Sequence, residues 1–190
     1  MNFYKTTLLA SLAATALSLA ALPVSAQMMT HAVPMVGGAA MYPSKNIIEN
    51  AVNSKDHTTL IAAVKAAGLV DTLASAGPFT VFAPTNEAFA KLPAGTVDTL
   101  VKPENKDTLT KILTYHVVAG HLSAADLKRM IRAGGGVATL TTVQGEPLKV
   151  TRKGATLVLT DAKGGKSHVT IGNVFQSNGV IHVVDTVLMP

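Results

Sequence analysis

The stretch Gly77-Pro-Phe-Thr-Val-Phe-Ala-Pro-Thr-Asn-Glu-Ala-Phe-Ala-Lys-Leu-Pro93 decides the fold. Gly77-Pro78 opens a short alternating apolar run, Phe79-Thr80-Val81-Phe82-Ala83, which reads as a strand. Pro84 ends the run because a proline brings no N–H to a ladder. Thr85 then stands where a helix needs a cap, with Glu87 in the first turn and Ala88, Phe89 and Leu92 on one side. Phe79, Phe82 and Phe89 must converge on the core, so this stretch is a folding constraint first.

Upstream, Ser44 is placed to cap a helix carrying Ile47, Ile48, Ala51 and Val52. A second helix presents Leu60, Ile61, Val64 and Ala67 and stops at Gly68. Downstream, helical signals run through residues 96–114 and from Ser123 to Arg132. Between them, Tyr115-His116-Val117-Val118-Ala119-Gly120 reads as another strand. Beyond Gly134-Gly135-Gly136 the texture turns to β, at 137–143, 147–152, 156–161, 168–175 and 180–188, with Gly and Lys/Asp turns between the segments. Helices in the first half and strands in the last third argue α+β with an antiparallel sheet or sandwich. No internal repeat is present.

A length of 190 residues allows one ordinary domain plus appendages. Lys5, the uncharged run Leu8–Leu22 and the small residues Val24-Ser25-Ala26 after Pro23 form a secretory signal pattern with cleavage expected after Ala26. Fifteen residues at 1.5 Å each fall short of a hydrocarbon core of about 30 Å, which argues against an uncleaved anchor. Loss of Lys5 leaves 15 minus 11, a net charge of +4. Residues 27–43 carry Pro34, Gly37, Gly38 and Pro43 without helix or strand periodicity and read as a flexible, Met-rich tether. The domain is expected over 44–190. No stretch after the leader could span a membrane, so the mature protein is expected to be secreted, periplasmic or extracellular.

Composition removes several function classes. With 48% hydrophobic and 14% charged residues, the chain has enough apolar material for a packed core. The absence of cysteine excludes a disulfide scaffold, a thiolate zinc site, a thiol nucleophile and a lipoprotein anchor. A mild positive charge without Trp argues against nucleic acid as a partner. There is no Gly-x-Ser-x-Gly, His-Glu-x-x-His or Gly-x-Gly-x-x-Gly pattern. Gly165-Lys166-Ser167 echoes a phosphate loop but has Thr160 where the loop needs glycine. Asp161 and Asp185 lie in β segments without a visible partner and read as hydrogen-bond acceptors.

Three groups remain as candidate binding residues. His116 and His182 lie in apolar strands and read as buried histidines bonded to backbone. Met28, Met29, Met35 and Met41 with His31 offer soft ligands for Cu(I), against the plainer reading of an incidentally Met-rich linker. Lys149, Arg152, Lys153, Lys163 and Lys166 cluster around two hairpins, while Lys128, Arg129 and Arg132 decorate one helix. Such charges protect sheet edges or bind anions.

Three blocks in order carry a resemblance. Gly77–Pro93 resembles the first signature block of the fasciclin domain, and Asn178-Gly-Val-Ile-His-Val-Val-Asp-Thr-Val-Leu-Met-Pro190 resembles its terminal block. Leu113-Thr-Tyr-His-Val-Val118 is similar to the Tyr-His segment between them. The resemblance implies an α+β module, an antiparallel β-sandwich or wedge flanked by several helices, associated with adhesion and matrix contacts and with neither catalysis nor cofactor. It also implies integrin-type binding at Tyr115 and His116, although an apolar strand there would bury at least one of the pair.

The sequence thus predicts a non-catalytic adhesion module of the cell envelope or extracellular matrix. Its expected partner is a cell-surface or matrix protein or an acidic polysaccharide. The alternative is a periplasmic small-ligand or copper carrier using the Met-rich tether or a cleft between sheet and helices.

Overall fold

The structure, a computed structural model, describes residues 33–190. In chain order its elements are β1 (Met35–Val36), β2 (Ala39–Ala40), α1 (Ile47–Ala51), α2 (Thr58–Ala67), α3 (Val70–Ala74), β3 (Phe79–Pro84), α4 (Asn86–Ala90), α5 (Thr96–Leu100), α6 (Lys106–Tyr115), β4 (Val117–Ala119), α7 (Ala124–Ala133), β5 (Val137–Thr141), β6 (Pro147–Lys153), β7 (Thr156–Thr160), β8 (Lys166–Gln176) and β9 (Gly179–Val184). Short 3-10 turns at Lys55–His57 and Pro103–Asn105 lead into α2 and α6. The class is α+β, as the segregation of helical and β texture predicts.

Seven strands form one sheet in the order β4-β3-β9-β8-β7-β6-β5. All neighbours are antiparallel except β3 and β9, which run parallel from Phe79↔Gly179 to Pro84↔Val184. The two ends of the sheet approach each other through a bridge between Val118 and Thr142, and Val143 N–H donates to the Val117 carbonyl at 2.7 Å. The sheet therefore curls into a wedge that is nearly a barrel.

Alternation along β3 divides the interior in two. Val81 and Ala83 face a core with Val174, Ile181 and Val183, covered by Ile47, Leu60, Leu73 and Ile112 from the helices. Phe82 faces the inside of the curl, where Leu148, Val150, Leu159 and Leu188 meet Leu127 and Ile131 of α7. Every residue of β9 is buried, as befits a strand with a core on each face.

Sequence signals locate most helix ends. The Thr85 hydroxyl accepts from Ala88 N–H, and Ser123 with Asp126 forms a capping box at α7. Gly68 ends α2 in the left-handed region. At α1 the cap is Asn46 rather than Ser44, because Asn46 and Glu49 satisfy each other's backbone N–H groups at 2.9 and 2.8 Å.

Two further expectations are corrected. The strand predicted from Tyr115 begins only at Val117, because Leu109, Ile112, Leu113 and His116 keep helical spacing and extend α6 through Tyr115. Residues 33–43 are not a tether. Gly37 and Gly38, both at positive φ, make a two-residue turn that pairs Met35↔Ala40 and Val36↔Ala39, and the hairpin buries Val36 and Met41. The Gly-Gly pair is a hairpin turn, a reading that absence of periodicity over so short a stretch could not supply. The signal pattern and residues 27–32 lie outside the described residues.

Candidate functional site

Tyr115 and His116, the pair the resemblance points to, sit at the end of α6 with both side chains buried. Tyr115 donates its hydroxyl to the Pro147 carbonyl and accepts from Ala162 N–H, each at 3.0 Å. Burial pushes its phenol up, partly opposed by the Ala162 N–H. His116 Nδ1 lies 2.8 Å from the Ile112 carbonyl, and Nε2 accepts from Leu188 N–H at 3.0 Å. Burial lowers this imidazole to about 4, against the raising influence of the Ile112 carbonyl and Asp161. The pair ties α6 to the hairpins and to the chain end, and offers no polar atom to a partner.

The terminal block is built in the same way. Asn178 accepts from Ile47 N–H at 3.0 Å and donates to the carbonyls of Leu73 and Ser75 at 2.8 and 2.7 Å. His182 is buried, held by the Leu122 carbonyl at 2.9 Å and stacked on Phe82 at 5.7 Å between centroids. Burial lowers its pKa as well. Asp161 accepts from the N–H groups of Lys163, Gly165 and Met189, and so organises a turn and the C-terminal segment. Both histidines and Asp161 hold the backbone, as the residues predict.

The cationic residues form the accessible chemistry. Strand alternation puts Lys149, Thr151 and Lys153 on the outer face of β6, opposite the buried Leu148 and Val150. Register sets Thr139 and Thr160 beside Lys149, and Lys166 beside Thr160. A row Thr139–Lys149–Thr160–Lys166 therefore crosses four strands, and Lys149 and Lys166 are two strand spacings apart, roughly 10 Å. Next to it runs Val137–Thr151–Val158–His168. Lys153, Thr156, His168 and Thr170 border an open depression at one end of this face.

Not all five predicted cations converge. Arg152 falls on the opposite phase of β6 at its end, paired with Leu157, and Lys163 occupies the turn that Asp161 organises. Both are exposed. Among the described residues, none of the five makes an ion pair; the ion pairs present are Lys91–Asp185, Arg129–Asp126 and His168–Asp185. The face gains one residue that the sequence reading omits, His168. Its Nδ1 lies 3.2 Å from Asp185 and its N–H donates to the same carboxylate at 2.8 Å. Burial alone would push the Asp185 carboxyl up, but these donors, Thr186 and Lys91 outweigh it and hold the carboxyl below its ordinary value. Counting in twos from Lys166 along β8 would have found His168.

The Met-rich metal alternative divides as well. Met41 is buried in the core, with its thioether unavailable to a metal, while Met35 is exposed. Met28, Met29 and His31 lie outside the described residues. Among the described residues no group of three His, Asp or Glu side chains could hold a metal ion. No described helix is long and apolar enough to cross a membrane.

The architecture is a curled sheet with one parallel strand pair and a helical layer. The family model of the fasciclin domain matches residues 55–190. Protein sll1483 of Synechocystis is 48% identical over 161 residues, covering 85% of this chain and 82% of its own. Immunogenic protein MPB70 of Mycobacterium bovis is 40% identical, with 92% of each chain covered. Among solved structures, a FAS1 domain pair from the insect cell adhesion molecule fasciclin I superposes with a TM-score of 0.69 at 20% identity, over 78% of this chain and 52% of that one. The chain belongs to the fasciclin-domain family.

Proposed function

We propose that the protein is a secreted, non-catalytic adhesion module of the cell envelope or extracellular matrix, and that it grips an acidic polysaccharide through the outer face of β6–β8. The observation that carries this reading is the set of unpaired cations on one sheet face: Lys149, Lys153 and Lys166 share it with threonine hydroxyls and His168. Asp161 is turned inward to bind backbone N–H groups, and the one carboxylate against this face among the described residues, Asp185, is engaged by His168 and Lys91 and not by the three lysines. Membership of a family whose solved neighbour is a cell adhesion molecule supports the class of function, and the leader pattern of residues 1–26 supports export.

Charge recognition of this kind acts within a Debye length, about 8 Å at 0.15 M salt. Binding to an immobilised polyuronate should weaken steadily as salt rises through that value. Binding that is indifferent to salt would remove the polyanion from the proposal.

A further inference from the structure

The helical layer does not close fully onto the sheet. A cavity of about 40 Å³ lies between the β1–β2 hairpin, α1, α2 and strands β3 and β9. At the 10–15 Å³ that one water-sized group occupies, this is room for about three to four. Apart from Ser54, His57 and His116, every lining residue is aliphatic, aromatic or a thioether. His116 has both ring nitrogens engaged. His57 does not. Its Nδ1 lies 2.9 Å from Ser54 Oγ, but Nε2 is the buried side-chain polar atom that has no partner among the described residues, in a ring only 3% exposed.

An orphaned buried nitrogen calls for something that satisfies it. Burial lowers the His57 pKa and keeps the ring neutral, against the raising influence of Asp56 and of the Ala83 carbonyl, which is near the ring but makes no hydrogen bond to Nε2. An anion therefore finds no charge here. A water would find His57 and little else, since a buried water needs two to four polar partners and these walls are hydrocarbon. A hydroxyl on an aliphatic body suits both parts of the site. It can donate or accept at Nε2, whichever tautomer Ser54 imposes, while the body meets the apolar walls.

The cover is also visible. The Gly37 carbonyl accepts from Lys55 N–H at 3.1 Å, and a Cβ on Gly37 would collide with Ser54 Oγ and with the backbone nitrogens of Lys55 and Asp56. Val36 and Met41 of the same hairpin segment form part of the cavity wall, and a methionine side chain can rearrange around a guest.

We propose that this cavity binds a small uncharged amphiphile, an aliphatic body bearing one hydroxyl, with His57 Nε2 as its hydrogen-bond anchor and the 35–41 hairpin as its cover. The site is separate from the cationic face and does not depend on it.

The experiment titrates the full chain, labelled at histidine nitrogens, with 1-propanol and with n-butane, which has the same number of heavy atoms. The His57 ring resonances are followed by NMR, and H57L serves as the comparison. The expected result is a saturable shift of the His57 Nε2 resonance with 1-propanol. Affinity should be about tenfold weaker in H57L, the equivalent of one hydrogen bond, with n-butane binding both proteins alike. If H57L does not fold, A51L fills the cavity while keeping His57 and should abolish the propanol shift. Three results would overturn the proposal: no saturable shift in the folded protein, equal propanol affinity for the wild type and a folded H57L, or a shift that persists in A51L. A crystal structure showing a water at Nε2 that propanol does not displace would do the same.

Discussion

The ring of His116 accepts the backbone N–H of Leu188 at 3.0 Å, across 72 residues of chain. Through this bond the Tyr-His segment and the terminal block act as one structural unit. His116→Ala leaves Leu188 N–H buried without a partner, which should cost about 1–3 kcal/mol. Chemical denaturation measures this loss, and any loss of adhesion in the variant should track it.

The same burial sets an acid limit on stability. The folded-state pKa of His116, about 4, lies below the ordinary 6.5, so the unfolded chain takes up the proton first. Stability from this group is complete above about pH 6.5 and is lost as pH falls toward 4, by about 3 kcal/mol in total. His57 and His182, also lowered by burial, act in the same direction. Denaturant midpoints between pH 7 and 4.5 should fall, and H116Q should show a shallower fall than the wild type.

Phe82 is fully buried at the centre of the strand that divides the two cores, with its ring against His182. Phe82→Ala should cost about 3–5 kcal/mol, from lost burial plus a cavity. A loss under about 1 kcal/mol in equilibrium unfolding would contradict the packing described.

The hairpin before α1 should behave as part of the domain. Met41→Ala removes a side chain from the core and should cost about 2–5 kcal/mol. An unchanged urea midpoint would mean that these residues are a tether after all.

Legibility in the sequence followed the range of each interaction. Thr85, Gly68 and Ser123 act on backbone within a few residues, and their roles are readable from local chemistry. Asn178 reaches Ile47 across 131 residues, and nothing near either residue announces that bond. Tyr115 reads as a strand residue because its neighbours are apolar, whereas helical spacing from Leu109 onward prevails. The lysine cluster is readable as a cluster, but its division needs register. Alternation sets Arg152 apart, a turn removes Lys163, and His168 follows Lys166 by alternation once register with β7 brings that strand beside β6's partner.

The central claim is that recognition lies on the outer sheet face and not in the Tyr-His segment. The direct measurement is the affinity of K149Q/K153Q/K166Q for an immobilised acidic polysaccharide, read beside its thermal stability and beside Tyr115→Phe and His116→Ala. The account predicts that the triple variant binds at least about tenfold more weakly while its melting temperature barely moves, because exposed charges contribute little to stability. It also predicts that the Tyr115 and His116 variants lose binding only as far as they lose the fold. Normal binding by the triple variant, with binding abolished in a stably folded Tyr115→Phe or His116→Ala, would contradict it.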